Sequence, residues 1–357
     1  MQMLLMTPGP TNVPERVLEK MKNTQCHHRT KEFGRIFGEL NEGLKYVFQT
    51  KNPVLTFPAA GTGGLEAAIV NLFSPGDRVL AVSIGVFGDR FIEIGRTFGL
   101  EIDVLEIPWG RGATLEELEG ALKDEHRALI LTHNETSTGA VNPIREIGEW
   151  MKEKPQLYVV DAVSSLGGSE IRMDDWHIDV LITASQKALM SPPGLTFIGV
   201  SDQGWEQVEK AKLPRYYWDF KKARKDMEKP SPQNPYTPAV ALIGAASEAI
   251  KMMQEEGLEA VFERHRILAA YFRQEVEKLG LPFYTHPDYL SDTITAIATT
   301  KGEEIKKIME TKYGIVIAGG QDQLKGTMIR VGHMGYVNQE MIDRTLTALK
   351  GALEEVC

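Results

Sequence analysis

Lys187 stands in the stretch Ile182–Gly194, ITASQKALMSPPG, directly after the apolar run DVLITAS and before a Pro-Pro-Gly brake. An amine at that place is either a surface residue that follows a strand or a nucleophile at the edge of a pocket, ready to capture a carbonyl compound. Other stretches carry matching chemistry. In PAAGTGGLEAA, the residues Gly61, Thr62, Gly63 and Gly64 run into a helical pattern. Glycines permit close approach of the backbone, and a helix start offers unpaired N–H groups and a positive dipole end, which suit a phosphate. The Thr62 hydroxyl adds a donor; a flexible strand–helix turn is the plainer reading. The pattern is neither G-x-G-x-x-G nor a Walker loop, since no Gly-Lys-Ser/Thr follows. Phe87, in IGVFGDR, can lay a ring over a planar ligand or simply fill the core. Asp161 ends the apolar run QLYVV, where a carboxylate must be paired or hydrogen-bonded, by a ligand cation or by the next turn. Val163, two residues on, faces the same way if the strand continues. In HNETSTGAVNP, Thr136 can donate to a ligand oxygen, with capping and turn chemistry as the alternative for this segment.

The elements that must position these groups follow from the hydrophobic pattern. β-rich runs at 53–57, 78–83, 100–107, 127–132, 156–161, 179–184 and 194–200 alternate with helical patterns at 64–73, 88–99, 114–124 and 143–154. That alternation predicts an α/β fold with a large, mainly parallel seven-stranded sheet covered on both faces. In such sheets ligands bind beyond the carboxyl ends of the strands, where each residue above falls. From Pro238 the pattern changes to two long helical segments broken near Gly257. Alternating segments at 292–300 and 326–332 follow, with helices at 302–312 and 338–355, predicting a smaller C-terminal α+β domain. The expected division is an N-terminal arm over 1–14, a large domain over 15–257 and a small domain over 258–357. The charged, aromatic, Pro-rich segment 211–236 is expected to make a surface excursion or a subunit contact.

Composition narrows the class. A net charge of −9 and 42% hydrophobic residues point to a soluble protein acting on small molecules, without a nucleic-acid or membrane partner. Two cysteines, Cys26 and Cys357, make no disulfide framework and no C-x-x-C metal pair. No signal peptide or membrane span is legible, so the expected location is the cytoplasm.

One planar cofactor uses all four features: pyridoxal 5′-phosphate, with its phosphate at the helix start, its ring on an aromatic face, its ring nitrogen at a carboxylate and its aldehyde on a lysine. The blocks TPGPTNVP, YVFQTKNP, GTGGLEAAIVN, HNETSTGAVNP, VVDAVSSLGG, SQKALMSPPG and IRVGHMG, in this order, closely resemble the alanine–glyoxylate and serine–pyruvate aminotransferases, a branch of the class V aminotransferases. The resemblance implies the aspartate-aminotransferase-like fold and a homodimer with active sites at the subunit boundary, the arm included. It implies Lys187 as the Schiff-base lysine and Asp161 as partner of the ring nitrogen. It implies Phe87 and Val163 on opposite ring faces and Thr136 near the ring hydroxyl. Thr62, Gly63, Gly64 and Gln186 would hold the phosphate, with Thr237 reaching in from the partner. Asn234 stands where relatives often carry Tyr, and Gly64 where some carry His. Arg330, which interrupts the apolar alternation of TMIRVGHMG, would clamp the substrate carboxylate with its planar guanidinium.

The implied activity is ping-pong transfer of an amino group from alanine or serine to glyoxylate or pyruvate. An aspartate donor would need a second cation, for which His28, Arg29 and Arg35 are candidates. Rival readings are another pyridoxal-phosphate enzyme, such as a lyase or desulfurase, and a non-catalytic subunit. Neither Cys26 nor Cys357 fits a desulfurase's downstream reactive loop, and an intact Lys187, Asp161 and Arg330 argue against decay.

Overall fold

The seven apolar runs become the seven strands of one sheet in the computed structural model, which describes residues 3–356. Cys357 lies outside the described residues. In chain order the strands are β1 (Val54–Phe57), β2 (Arg78–Ser83), β3 (Glu101–Glu106), β4 (Ala128–Thr132), β5 (Leu157–Asp161), β6 (Val180–Ala184) and β7 (Thr196–Val200). Their spatial order is β1-β7-β6-β5-β4-β2-β3. Every pairing from β3 to β6 is parallel, whereas β7 runs antiparallel to both β6 and β1. The reason is the connection: β6 returns as β7 through the loop 185–195 without a crossover helix, and such a link joins only antiparallel neighbours. That loop carries Lys187. β4 to β7 are buried at every position, as double coverage requires.

Two N-terminal helices, α1 (Glu15–Asn23) and α2 (Lys31–Phe48), precede the sheet, in a stretch where the strand–helix alternation predicts nothing. α2 begins where the Thr30 side chain accepts the Phe33 N–H, and it buries Phe33, Phe37, Leu40, Leu44 and Val47 at helical spacing. α3 (Gly61–Leu72) begins three residues earlier than its apolar pattern, so the glycines form its first turn. They permit a contact nothing larger could make. A Cβ on Gly61 would lie 2.7 Å from the Val163 side chain, and one on Gly64 would lie 2.8 Å from Ile182 and against the Thr196 hydroxyl. α4 (Val86–Thr97) follows β2 in the same manner.

The long helices α5 (Val240–Glu256) and α6 (Leu258–Lys278) meet at Gly257, as expected. Beyond them β8 (Ile294–Ala298), α7 (Gly302–Tyr313), β9 (Ala318–Gly319), β10 (Met328–Gly332) and α8 (Gln339–Val356) build the smaller lobe. Its antiparallel sheet has the order β8-β10-β9. Two separate apolar clusters mark the lobes. The first draws on residues 33–261, and the second joins Phe272, Ile297, Ile305, Ile329 and Leu349.

Leu4 and Met6 belong to the second cluster, so the N-terminal arm is built into the small lobe. Leu4–Leu5 pairs in parallel with Ile315–Val316, and the Gly332 N–H donates to the Met6 carbonyl at 2.8 Å. The arm then crosses to the Lys187 loop, where the Thr11 N–H and hydroxyl donate to the Gln186 and Lys187 carbonyls. The segment 211–236 leaves Tyr216 73% exposed, yet it is also anchored. It contains a helix, Phe220–Met227, whose Phe220 is fully buried, and the Trp218 indole donates to Glu66. No described helix is long and apolar enough to cross a membrane.

Candidate active site

The carboxyl ends of β4, β5 and β6 open on a cavity of about 200 Å³ walled by α3 and α4. Gly61, Thr62, Phe87, Thr136, Asp161, Val163, Gln186 and Lys187 all line it. The strand-end rule thus gathers residues scattered over more than a hundred positions.

Asp161 is 3% exposed. One carboxylate oxygen accepts the Val163 N–H at 2.9 Å and the other the Thr132 hydroxyl at 3.4 Å. Burial pushes its pKa up to about 6, against the pull of the Val163 N–H. A protonated nitrogen placed beside it would restore the ionised form. Lys187 responds the opposite way: burial brings its amine down to about 8, with Asp161 opposing and Arg330 and Arg90 assisting. Its Nζ donates to the Pro8 carbonyl of the arm. Gly9 passes so close that a Cβ there would lie 2.7 Å from Cε and 2.8 Å from Nζ. Because only the neutral amine is a nucleophile, labelling of Lys187 by an amine-specific acylating reagent in cofactor-free protein should rise with pH through about 8 and then level. An ordinary lysine would still be gaining reactivity near pH 10. Peptide mapping across pH 6–11 checks this, and a midpoint near 10 counts against a perturbed amine.

At the α3 end, the Gly63 and Gly64 N–H groups both turn back on the Ala60 carbonyl. The first-turn donors free of hydrogen bonds among the described residues are therefore those of Gly61 and Thr62. Gly64 faces the sheet, and neither it nor Gly63 lines the cavity. Arg330 adjoins the cavity from β10. Its Nε donates to the Gly319 carbonyl at 2.8 Å, and its Nη1 to the Thr136 carbonyl at 2.6 Å and to Gln321 at 3.2 Å. Nη2 makes no hydrogen bond among the described residues, and burial lowers the guanidinium pKa to about 10, still charged at neutral pH. Thr237 is exposed and lies instead beside Asn234 and Tyr236 in a separate small cleft, so a single chain does not bring it to the cavity.

Arg90, unremarked in the sequence, also lines the cavity. Its guanidinium carbon sits 4.7 Å from the Phe87 ring centroid, and its Nη1 lies 3.5 Å from the Thr62 hydroxyl. The i, i+3 spacing from Phe87 on a helix was the signal available. None of the expected second cations lines the cavity. Arg29 holds Gln233 and the Asn234 and Pro235 carbonyls, Arg35 pairs with Glu39, and His28 lies elsewhere.

The donor set fits pyridoxal phosphate. Thr62 and the free N–H groups of α3 suit its phosphate, Phe87 and Val163 its ring faces, Asp161 its ring nitrogen and Lys187 its aldehyde. The Gln186 Oε1 and Asn134 Oδ1 atoms, buried without a hydrogen-bond partner, mark polar groups of this wall that await one.

The class-V aminotransferase family profile matches residues 3–344. The chain belongs to that family of pyridoxal-phosphate-dependent aminotransferases. It is 38% identical to an L-aspartate–glyoxylate aminotransferase of Paracoccus denitrificans, over 94% of this chain and 87% of the relative. A Synechococcus protein named as the small subunit of a soluble hydrogenase is 42% identical over 99% and 93% of the two chains. The crystal structure of an alanine–glyoxylate aminotransferase from a Nostoc species superposes with a TM-score of 0.94 at 31% identity, covering 99% and 96% of the two chains.

Proposed function

We propose that the protein transfers the amino group of a small amino acid, alanine or serine, to glyoxylate or pyruvate by a ping-pong route. The observation that carries this reading is the convergence of the Lys187 amine and the Asp161 carboxylate on one cavity, beside an arginine whose Nη2 is uncommitted. Pyridoxal phosphate, when bound, supplies an electrophilic carbonyl carbon and a ring that absorbs electrons from the substrate. Arg330 Nη2 binds the substrate carboxylate and orients the Cα–H bond. The Lys187 Nζ would take that proton as general base and, as general acid, deliver it to a different atom, the cofactor's former aldehyde carbon. Asp161 keeps the ring nitrogen protonated through its charge. Thr62 and the first turn of α3 hold the phosphate, and Phe87 and Val163 confine the ring. Thr237, exposed on its own subunit, reaches a phosphate only in a homodimer. A second reading, an aspartate donor, is favoured by Arg90, a further cation on the cavity wall.

The test is a single-turnover screen of alanine, serine and aspartate against holoenzyme, followed through the cofactor's visible absorption. Alanine or serine should bleach the band and glyoxylate or pyruvate should restore it. Faster bleaching by aspartate selects the second reading, and no response to any of the three overturns both.

A further inference from the structure

Glu135 is a fully buried carboxylate that the proposed chemistry leaves without a task. It sits in the short hairpin between Asn134–Glu135 and Ala140–Val141, just past β4. Its Oε2 accepts the Phe87 N–H at 3.0 Å and the Gly88 N–H at 3.1 Å, both in the first turn of α4. Its Oε1 accepts the Ser137 N–H at 3.0 Å and the Ser137 hydroxyl at 2.6 Å. Ser137 in turn accepts the Val86 N–H at 3.1 Å. A negative charge at a helix N-terminus complements the helix dipole, and here it also fixes the residue that presents the ring. On the other side of the same hairpin, the Thr136 carbonyl receives Arg330 at 2.6 Å.

We propose that Glu135 is a positioning residue that locks the Phe87 ring face and the Arg330 clamp to one another through this hairpin. The proposal rests on the reading that Phe87 carries the cofactor ring. All four groups facing the carboxylate are donors, so the site demands an acceptor on both oxygens. Glutamine cannot satisfy all of them. One orientation of the amide sets its NH₂ against the Phe87 and Gly88 N–H groups, and the other sets it against the Ser137 N–H, although the hydroxyl there can turn to accept. Burial raises the Glu135 pKa, and the same four hydrogen bonds oppose that rise.

The experiment is a double-mutant cycle on full-length protein stripped of cofactor, read as the Kd for pyridoxal phosphate. Glu135→Gln should weaken binding about tenfold, because the unsatisfied donors shift the first turn of α4 and with it the Phe87 ring it presents. In a Phe87→Ala background the same change should cost less than about twofold, because its path to the ring is gone. The KM for the amino donor should rise more than kcat falls, since Arg330 is released as well. Equal losses in both backgrounds, or unchanged affinity in folded Glu135→Gln, overturn the proposal. If Phe87→Ala alone leaves affinity unchanged, the ring-face reading has failed, and the proposal falls with it. Should Glu135→Gln not fold, hydrogen exchange in the wild type decides. The Phe87 and Gly88 amides should be protected far beyond those of Gly61 and Thr62, and comparable exchange at the two helix starts overturns it.

Discussion

Lys187→Ala is expected to yield a folded protein that still takes up pyridoxal phosphate but does not turn over. The loop 185–195 is held by backbone and by Ser185, whose hydroxyl donates to the Pro192 carbonyl at 2.7 Å, so removing the amine does not unpin it. What disappears is the amine proposed to anchor the cofactor aldehyde, which is the only amine on the cavity wall among the described residues. Loss of an acid–base group alone costs roughly 10²–10⁴-fold, and loss of the covalent anchor adds to it. Steady-state transamination of the variant, with and without added methylamine as a replacement base, measures the effect. Borohydride reduction of the wild-type holoenzyme should tag the peptide that contains Lys187. A variant with near-normal rates, or a tag elsewhere, would remove Lys187 from its role.

Asp161→Asn should keep the fold and lose about 10²–10³-fold in kcat, the scale of removing one preorganised electrostatic contact. The fold survives for a specific reason. The asparagine carbonyl can still accept the Val163 N–H, and its NH₂ can donate to the Thr132 hydroxyl, which is free to accept. Only the charge is removed. The pH dependence follows with a definite sign. Burial holds the Asp161 carboxyl near 6 in the unliganded protein, and a protonated ring nitrogen lowers that value by favouring the carboxylate. Wild-type activity should therefore fall as pH drops through the range below about 6, and the Asn variant should lose that limb. A variant with the wild-type rate, or an acid limb that persists, would assign the electron-sink role elsewhere.

The sheet and its strand ends were legible because buried parallel strands are continuous apolar runs and the chemistry sits where they stop. Asp161 and Lys187 announced themselves by ending or following such a run, whereas Thr62 and Phe87 lay in the turns that lead from a run into the next helix. α1 and α2 were not legible, since they alternate with no strand and owe their place to packing against α5. The early start of α3 was hidden because glycines carry a low helical signal, and here their lack of side chains is set by contact with Val163 and Ile182. Arg90 was missed, and Glu135 reads in the sequence only as a polar group at a strand end, because each acquires meaning only once α4 and the hairpin after β4 are brought face to face. The arm was expected at a subunit boundary, a placement that a single chain does not test, and the structure ties it to the small lobe and the lysine loop.

That tie has a mechanical consequence. Leu4 to Met6 are stitched to the small lobe, and Thr11 is stitched to the backbone at Gln186 and Lys187. The few residues between must absorb any swing of one lobe against the other. Pro8, whose carbonyl receives the amine, lies in that span. The lysine thus grows from the large lobe, while the carbonyl that receives its amine lies on a tether to the small lobe, so any shift between the two would act directly on that contact.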